Sequence, residues 1–352
     1  MNIKDYGFKE NLKRNNINGR IPARIIATHK DRYEIVCDKG NGFAKIKRGC
    51  FYDNPNSDYP TTGDFVLIEW NENGESMITE TLKRESLFSR VASSSDKNHE
   101  LHKQHEQLGA ANFDYVFIMQ SLNDNFNLHR IERYLTLSWQ SGGIPVIILT
   151  KRDLVENYIA YINQVKNIAI GVDIYAISCK TGEGIENIRK YFEKGKTIVF
   201  LGSSGVGKST LVNTLYGEEI MKTSEIREED SRGRHTTTSR NLIILPNGTM
   251  IIDTPGMREL GMWEVSEGLD KTFKDVEQYL GKCKFSDCTH TNEPGCKILE
   301  AIKNGELSHD RFNSYIKLQN EAKYNNDSEN YLKEKRNKFK DIAKHNKVNK
   351  KH

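Results

Sequence analysis

The chain has 352 residues, of which 36% are hydrophobic and 28% are charged, and its net charge is +4. This length exceeds one ordinary core and predicts two or three domains, while the mild positive charge permits an RNA partner without requiring one. No stretch reaches the about 18–20 apolar residues of a membrane span, and the charged first residues lack the apolar core of a signal peptide. We therefore expect a cytoplasmic protein with no membrane partner, acting as a monomer.

Residues 1–88 are predicted to form a small β-barrel. Apolar or alternating runs, separated by Gly, Pro, Asn and Asp, predict strands at 17–26, 33–38, 42–46 and 64–70. An OB-type barrel fits this pattern, and a small SH3-like barrel fits it nearly as well. Residues 89–112, which include a run of serines, are predicted to be a linker.

Residues 113–262 are predicted to form an α/β domain. Apolar runs predict strands at 115–120, 144–150, 174–178, 197–201, 241–245 and 249–253, and helical spacing predicts helices at 128–139, 185–192 and 208–216. Unbroken apolar strands between helices are typical of a mainly parallel sheet covered on both faces.

A glycine-rich phosphate loop follows the predicted strand 197–201. The run GSSGVGKS fits GxxxxGK[ST], with a strand before it and a helix after it, as the motif requires. Its glycines let backbone N–H groups face the phosphates, Lys208 is expected to reach the terminal phosphates, and Ser209 is expected to bind Mg²⁺. The predicted nucleotide-binding residues of this loop are Gly202, Ser203, Ser204, Gly205, Val206, Gly207, Lys208, Ser209 and Thr210.

Two further motifs complete the predicted phosphate site. Asp253 ends an apolar strand, where P-loop enzymes place the carboxylate of the Mg²⁺ shell, and Gly256 is placed to sense the terminal phosphate. Between the loops, the run RGRHTTT at 232–238 suits a mobile switch segment whose threonine closes over Mg²⁺ and the γ-phosphate. We favour Thr237, although spacing does not choose among the three threonines.

A pair of loops predicts recognition of guanine. The run TKRD at 150–153 and the run SCK at 178–180 each follow a buried strand and resemble the NKxD and SAK motifs. A carboxylate can accept two hydrogen bonds from guanine, whereas adenine lacks that donor pair. The predicted base-binding residues are Thr150, Lys151, Asp153, Ser178, Cys179 and Lys180. Thr150 replaces the usual Asn, so a hydrogen bond to the phosphate loop is expected to be altered.

The residues that drive turnover are less defined. Met257 occupies the position after DTPG where Ras-like enzymes carry the glutamine that orients the attacking water. Intrinsic hydrolysis is therefore expected to be slow, with His235 of the switch segment as the local candidate to position water and a solvated loop histidine as the alternative. Arg232 and Arg234 suit either charge stabilisation or RNA phosphate binding, and the sequence does not separate the two.

The base motifs precede the phosphate loop, which reverses the Ras-like order. A parallel sheet with helical crossovers tolerates this permutation if the original ends are joined, here between 192 and 197, and new ends are opened elsewhere. The new end of the domain falls directly after DTPG, so the switch continues straight into the following region.

Residues 263–325 are predicted to form a helical metal-binding domain. Cys283, Cys288, His290 and Cys296 supply three thiolates and one imidazole, a ligand set that suits a closed, structural Zn²⁺ site. Helices are predicted at 269–280 and 308–321, the second with Ser308 as N-cap. Residues 326–352 form a basic tail that is expected to be a frayed helix or disordered.

The order of barrel, TKxD, SxK, GxSGVGKST, RGRHTTT, DTPG and Cys/His cluster resembles the RsgA (YjeQ/YloQ) family of circularly permuted GTPases. The resemblance covers nearly the whole chain except its first dozen residues and the basic tail. It implies an OB-fold N-terminal domain, a zinc site at the same cysteines and histidine, and a GTPase that the small ribosomal subunit activates during late maturation.

The predicted fold is thus a permuted Ras-like α/β domain flanked by an OB-fold barrel and a zinc-binding helical domain. The predicted reaction is Mg²⁺-dependent hydrolysis of GTP to GDP and phosphate, with the outer domains gripping ribosomal RNA. One alternative is an RNA-binding assembly scaffold that binds nucleotide but barely hydrolyses it. A second alternative is an ATP-dependent P-loop enzyme.

Overall fold

The chain forms two compact units, Met1–Leu260 and Gly261–His352. The computed structural model describes residues 2–9, 19–29, 31–52, 59–90, 107–221, 240–253 and 265–326. Within these ranges no helix is long and apolar enough to cross a bilayer. The predicted boundaries at 88, 112, 262 and 325 stay a prediction.

The N-terminal part of the first unit is a closed five-stranded barrel. Its strands are β1 (Ile21–Thr28), β2 (Tyr33–Cys37), β3 (Gly40–Ile46), β4 (Phe65–Glu69) and β5 (Ser76–Thr81), and a short helix α1 (Arg48–Tyr52) follows β3. The strand order is β1-β2-β3-β5-β4, β4 returns to β1, and β3 runs parallel to β5. This order is that of an OB-fold, so the OB prediction is confirmed over the SH3-like alternative.

Three strands of this region give no clear sequence signal. They are β5 and the antiparallel pair β6 (Leu87–Arg90) and β7 (Gln107–Ala111). β7 has no β-branched or aromatic residue and β6 has one, whereas β5 has three β-branched residues with a charged glutamate among them. The segment predicted as a linker therefore contains strand residues at both of its ends. Its central part, 91–106, lies outside the described residues.

The described residues of the α/β part form six strands in one sheet. They are β8 (Tyr115–Ser121), β9 (Ile144–Thr150), β10 (Asp173–Ala176), β11 (Thr197–Gly202), β12 (Arg240–Ile244) and β13 (Met250–Asp253). Their order is β10-β9-β8-β11-β13-β12, and every neighbouring pair is parallel except β12 with β13. The mainly parallel sheet is confirmed, and the carboxyl ends of its parallel strands meet at one edge, where ligands bind in open α/β sheets.

In the part of this domain that the structure describes, three α-helices pack with the sheet: α2 (Leu128–Gln140), α3 (Tyr158–Ile168) and α4 (Lys208–Tyr216). The predicted helix 185–192 is instead a 3₁₀ helix, Ile185–Tyr191. Its buried side chains, Ile185, Ile188 and Tyr191, recur every third residue, which is the period of a 3₁₀ helix. Helix α3 is not evident from the sequence because it buries only Val165 and Ile168.

Backbone hydrogen bonds join one strand of the barrel to one strand of the α/β part. Barrel strand β1 pairs antiparallel with β12, with Ala27 opposite Asn241 and Thr28 opposite Arg240. The two sheets thereby form one continuous sheet of eleven strands. The edge strand of the α/β sheet therefore borders the barrel directly.

The second unit is helical. It contains α5 (Ser266–Thr272), α6 (Lys274–Glu277), α7 (Lys297–Lys303) and α8 (His309–Asn326). The predicted single helix 269–280 is two short helices that meet at Phe273, which is buried and has a φ of −110°. Ser308 Oγ accepts from Arg311 N at 3.0 Å, which confirms the predicted N-cap. Residues 327–352 of the predicted basic tail lie outside the described ranges.

Candidate nucleotide site and metal centre

The phosphate loop connects the central strand β11 to helix α4. Gly205 and Gly207 have φ values of 70° and 98°, in the left-handed region that glycine adopts without strain. A Cβ at Gly202 would lie 2.8 Å from Met119 O, so only glycine lets β11 approach β8 this closely. Lys208 Nζ donates to Ser203 O at 3.4 Å and closes the loop.

The first base loop leaves the end of β9. Lys151 has a φ of 59°, and this turn places Asp153 in the short 3₁₀ helix Arg152–Leu154. Ser178 Oγ donates to Asp153 Oδ1 at 2.6 Å. This hydrogen bond is the main cause that lowers the pKa of the exposed Asp153 carboxyl, so the group is ionised at neutral pH.

The second base loop is organised around Ser178. Its hydroxyl oxygen accepts from the backbone N–H groups of Lys180 at 3.2 Å and Thr181 at 3.1 Å, while donating to Asp153. The two base loops are therefore joined to each other by a side chain from each motif. Burial raises the pKa of the Cys179 thiol, so this cysteine is a neutral thiol at neutral pH.

A buried hydrogen bond joins the base loop to the phosphate loop. Thr150 Oγ1 donates to Val206 O at 2.7 Å. Thr150 is the first of the predicted base-binding residues, and Val206 lies within the phosphate loop, two residues before Lys208. The threonine hydroxyl thus links the two loops. The segments predicted to bind the base and the phosphates therefore lie side by side.

The loop between β8 and α2 also contacts the phosphate loop, which the sequence analysis did not predict. Asn125 Nδ2 donates to Ser203 Oγ at 3.2 Å, and Arg130 Nη1 donates to Asn125 Oδ1 at 3.0 Å. Gln120 Nε2 donates to Asn125 O at 2.5 Å. The available signal was a polar run directly after a buried parallel strand, at the sheet edge where the phosphate loop also lies.

Several predicted residues lie outside the described ranges. They are His235, Thr237, Gly256, Met257, Arg232 and Arg234. The backbone of Asp253 ends β13 and pairs with Asn241, but the placement of its side chain is not described. Ser209 lies in the first turn of α4, beside the phosphate loop. The roles of these residues stay predictions.

The four predicted metal ligands of the second unit converge. Ligand atoms of Cys283, Cys288, His290 and Cys296 all lie within 4.8 Å of one another. His290 Nδ1 is 3.5 Å from Cys283 Sγ and 3.3 Å from Cys296 Sγ, and the two sulfurs are 3.9 Å apart. A tetrahedral ion with bonds of about 2.0–2.3 Å separates its ligands by roughly 3.3–3.8 Å, so this donor set fits one such ion.

The loop that carries the ligands is held by local hydrogen bonds. Backbone N–H groups of Lys297 and Leu299 donate to the sulfurs of Cys283 and Cys296, at 3.3 and 3.5 Å. Glu293 accepts from the backbone N–H groups of Thr291 at 2.9 Å and Asn292 at 3.0 Å. Such donors stabilise thiolates and orient the ligands of a metal.

Comparison with known proteins agrees with this geometry. The model of the RsgA GTPase family matches residues 82–263, and an ABC transporter model matches residues 185–343, less than half of the chain, including the phosphate loop. The chain is 42% identical to the small ribosomal subunit biogenesis GTPase RsgA 2 of Listeria monocytogenes, over 92% of this chain and 90% of that protein. It is 41% identical to the protein of the same name from Vibrio vulnificus, over 92% of this chain and 86% of that one.

Solved structures show the same architecture. YjeQ from Thermotoga maritima superposes with a TM-score of 0.61 at 26% identity, covering 85% of this chain and 97% of that one. YloQ, described as a circularly permuted GTPase, superposes with a TM-score of 0.57 at 24% identity over 88% of this chain and 98% of that one, which supports the fold. The match to the RsgA GTPase family model and the 42% and 41% identity to the two relatives show that the chain belongs to the RsgA GTPase family.

Proposed function

We propose that this GTPase hydrolyses GTP to GDP and phosphate during late maturation of the small ribosomal subunit, and that the subunit stimulates it. The observation that carries the GTP assignment is the hydrogen bond from Thr150 Oγ1 to Val206 O at 2.7 Å, because it holds a guanine-type loop against a phosphate loop. The names of these two relatives support the ribosomal role.

Guanine recognition rests on Asp153. Its carboxylate accepts two hydrogen bonds from the ring N–H and the exocyclic amine of guanine, and its lowered pKa keeps it an acceptor at neutral pH. The stem of Lys151 covers the base face. Because the Lys180 N–H already donates to Ser178 Oγ, the Cys179 N–H is the better donor for the guanine carbonyl.

Phosphate binding rests on the glycine-rich loop, the start of α4 and Lys208, whose ammonium leaves Ser203 O to reach the terminal phosphates. Ser209, Thr237 and Asp253 would hold Mg²⁺, which neutralises the phosphate charge when bound. Met257 cannot orient the attacking water, so His235 positions it. Binding of the small subunit holds the other groups of the site in place. Gly256 senses the terminal phosphate.

The outer regions serve the RNA partner in this proposal. The barrel has the OB-fold order used by oligonucleotide-binding proteins. The Cys283, Cys288, His290 and Cys296 cluster holds one structural Zn²⁺, because three thiolates and one imidazole leave no ligand position open for water. The protein acts as a cytoplasmic monomer that grips ribosomal RNA through both outer regions.

GTP turnover measured with and without purified small subunits tests the proposal. We expect slow phosphate release from the protein alone and a large increase with small subunits, but not with large subunits. Turnover that stays low in both conditions, with nucleotide bound, would favour an RNA-binding scaffold. Equal competition by ATP and GTP would remove the guanine assignment.

A further inference from the structure

A buried cation lies where the barrel meets the α/β part. Arg24 of β1 is only 1% exposed. Its guanidinium donates to Tyr6 O at 2.6 Å, Gly63 O at 3.2 Å and Asn112 O at 2.8 Å, and it lies 4.8 Å from the Phe65 ring centre. Burial lowers the pKa of Arg24 to about 10, so the group stays charged at neutral pH.

The groups that Arg24 binds come from separate segments of the first unit. Tyr6 ends the N-terminal 3₁₀ helix, Gly63 precedes β4, and Asn112 follows β7. The same guanidinium donates to Met250 Sδ on β13 at 3.1 Å. A buried cation is costly unless it is well hydrogen-bonded, and a planar fork of donors can join several carbonyls at once. Arg24 therefore fastens the N-terminal segment, the barrel and β13 together.

The strands where the barrel meets the α/β part also connect to Asp253, whose carboxylate is predicted to bind Mg²⁺. Ala27 of the barrel pairs with Asn241 of β12, and Asn241 pairs with Asp253 of β13. Adjacent strands are about 4.8 Å apart, so the backbone of Asp253 lies roughly 10 Å from barrel strand β1. Met250, which Arg24 contacts, begins the same strand that Asp253 ends.

We propose that Arg24 is a positioning residue for subunit-stimulated GTP hydrolysis. It makes the barrel and β13 move as one body, so that a small subunit seated on the barrel orders the Asp253 end of the nucleotide site. This inference rests on the proposed function, since it names how the partner regulates that site.

The burial of Arg24 makes the idea testable. A side chain that is 1% exposed cannot itself touch RNA. If an Arg24 variant loses stimulation but still binds the subunit, the substitution must therefore act through the contact between the barrel and the α/β part.

The test compares Arg24→Gln and Arg24→Lys with wild type in the full chain. Arg20→Gln is the matched control, because Arg20 lies in the same barrel and bonds within it, to Thr79 at 3.4 Å and Glu80 at 3.9 Å. For each variant, near-UV circular dichroism, GDP affinity, subunit affinity, basal turnover and turnover at saturating small subunits are measured.

For Arg24→Gln we expect stimulated kcat to fall about tenfold, while subunit Kd, GDP Kd and basal kcat stay within about twofold of wild type. Arg24→Lys keeps the charge but lacks the planar set of guanidinium N–H donors, so its stimulated kcat should fall by an intermediate amount. Arg20→Gln should behave as wild type. If Arg24→Gln fails to fold, the same split is required of Arg24→Lys.

Full stimulation in the variants overturns the inference. A fall in subunit affinity or basal kcat that accounts for the loss also overturns it, as does unfolding of both variants, which would make Arg24 a stability residue. Absence of stimulation in wild type is a separate result, because it rejects the proposed function before any variant is compared.

Discussion

The nucleotide site and the metal centre are built in opposite ways. The loops of the nucleotide site lie at the ends of strands whose core side chains, such as Phe117, Ile148 and Ile251, are wholly buried. Protein groups join those loops to one another through Thr150 and Ser178. By contrast, residues 283–296 bury only Cys296, and four potential metal ligands converge there.

The protein fold thus determines the shape of the nucleotide site, whereas a ligand is expected to determine the conformation of the loop 283–296. The sheet and its hydrogen bonds join the base and phosphate loops to one another. The loop 283–296 has almost no apolar core, so we expect a bound ion to contribute much of the energy that orders it. Phe273 and Ile298, in the helical part of this unit, are fully buried, so we expect metal loss to act first on that loop.

Removal of the metal should have the largest effect. We expect Cys288→Ser, or chelation, to unfold the loop 283–296, because structural Zn²⁺ sites contribute about 10–16 kcal/mol of binding free energy in small peptides. Metal content and hydrogen exchange of this loop measure the loss, and GDP affinity should not change. Cys50→Ser, in the barrel, is the control, and this variant should keep the metal bound at the Cys/His cluster. A loop that stays protected without metal would contradict the assignment.

Removal of the phosphate-loop lysine should abolish function without changing the fold. We expect Lys208→Ala to lower GTP turnover by about 10²–10³-fold, because the ammonium stabilises charge that develops on the phosphates. Phosphate release and thermal unfolding are measured together. Lys166→Ala, an exposed lysine on α3, is the control. Turnover near that of wild type would remove Lys208 from the site.

Asp153→Asn should reduce guanine selectivity. The amide cannot accept both hydrogen bonds from the base, so we expect GTP affinity to fall by about 2–3 kcal/mol, while ATP affinity changes little. Competition between labelled GTP and unlabelled ATP measures the change. Asp173→Asn is the control, because Asp173 begins β10, at the end of that strand away from the second base loop, and accepts from Lys190 of the 3₁₀ helix Ile185–Tyr191. Unchanged selectivity in Asp153→Asn would place guanine elsewhere.

Thr150→Val tests the link between the base and phosphate loops. The substitution leaves Val206 O buried without its donor, and we expect a loss of about 1–3 kcal/mol of unfolding free energy, with weaker GDP binding. Chemical denaturation and GDP titration measure the two effects. Thr150→Ser keeps the hydroxyl and should behave as wild type. Equal stability of the Val and Ser variants would mean that the loops do not depend on this bond.

Ser178→Ala should have the smallest effect, on the titration of Asp153. The hydrogen bond lowers the carboxyl pKa in the folded protein, so its contribution is present above the ordinary value and is lost as pH falls through the folded pKa. Without the hydroxyl, we expect the pKa of Asp153 to rise towards the ordinary value of an aspartate. Carboxyl-carbon NMR between neutral and acidic pH measures it, with Ser178→Thr as the control. An unchanged midpoint would show that Ser178 does not set the pKa.

Much of both sites could be read from consecutive residues. The bounds of α4 and β9 are those expected, because an apolar strand, a glycine-rich turn and a helix are encoded within one short segment. The four metal ligands were also identifiable, since their spacing in the chain sets how closely they converge. Short, polar or weakly β-forming elements such as β5, β7 and α3 were not, because their neighbours in the fold, rather than their own residues, stabilise them.

The sequence by itself therefore determined the motifs, their permuted order, the parallel sheet and the ligand set of the metal centre. The tertiary structure alone decided that Thr150 bonds to Val206, that Asn125 contacts Ser203, and that β1 pairs with β12. It also revealed Arg24 as a junction cation, whereas in sequence it is one charge within an apolar strand. These contacts join residues far apart in the chain, and their energy depends on burial and register, which appear only when the whole sheet has formed.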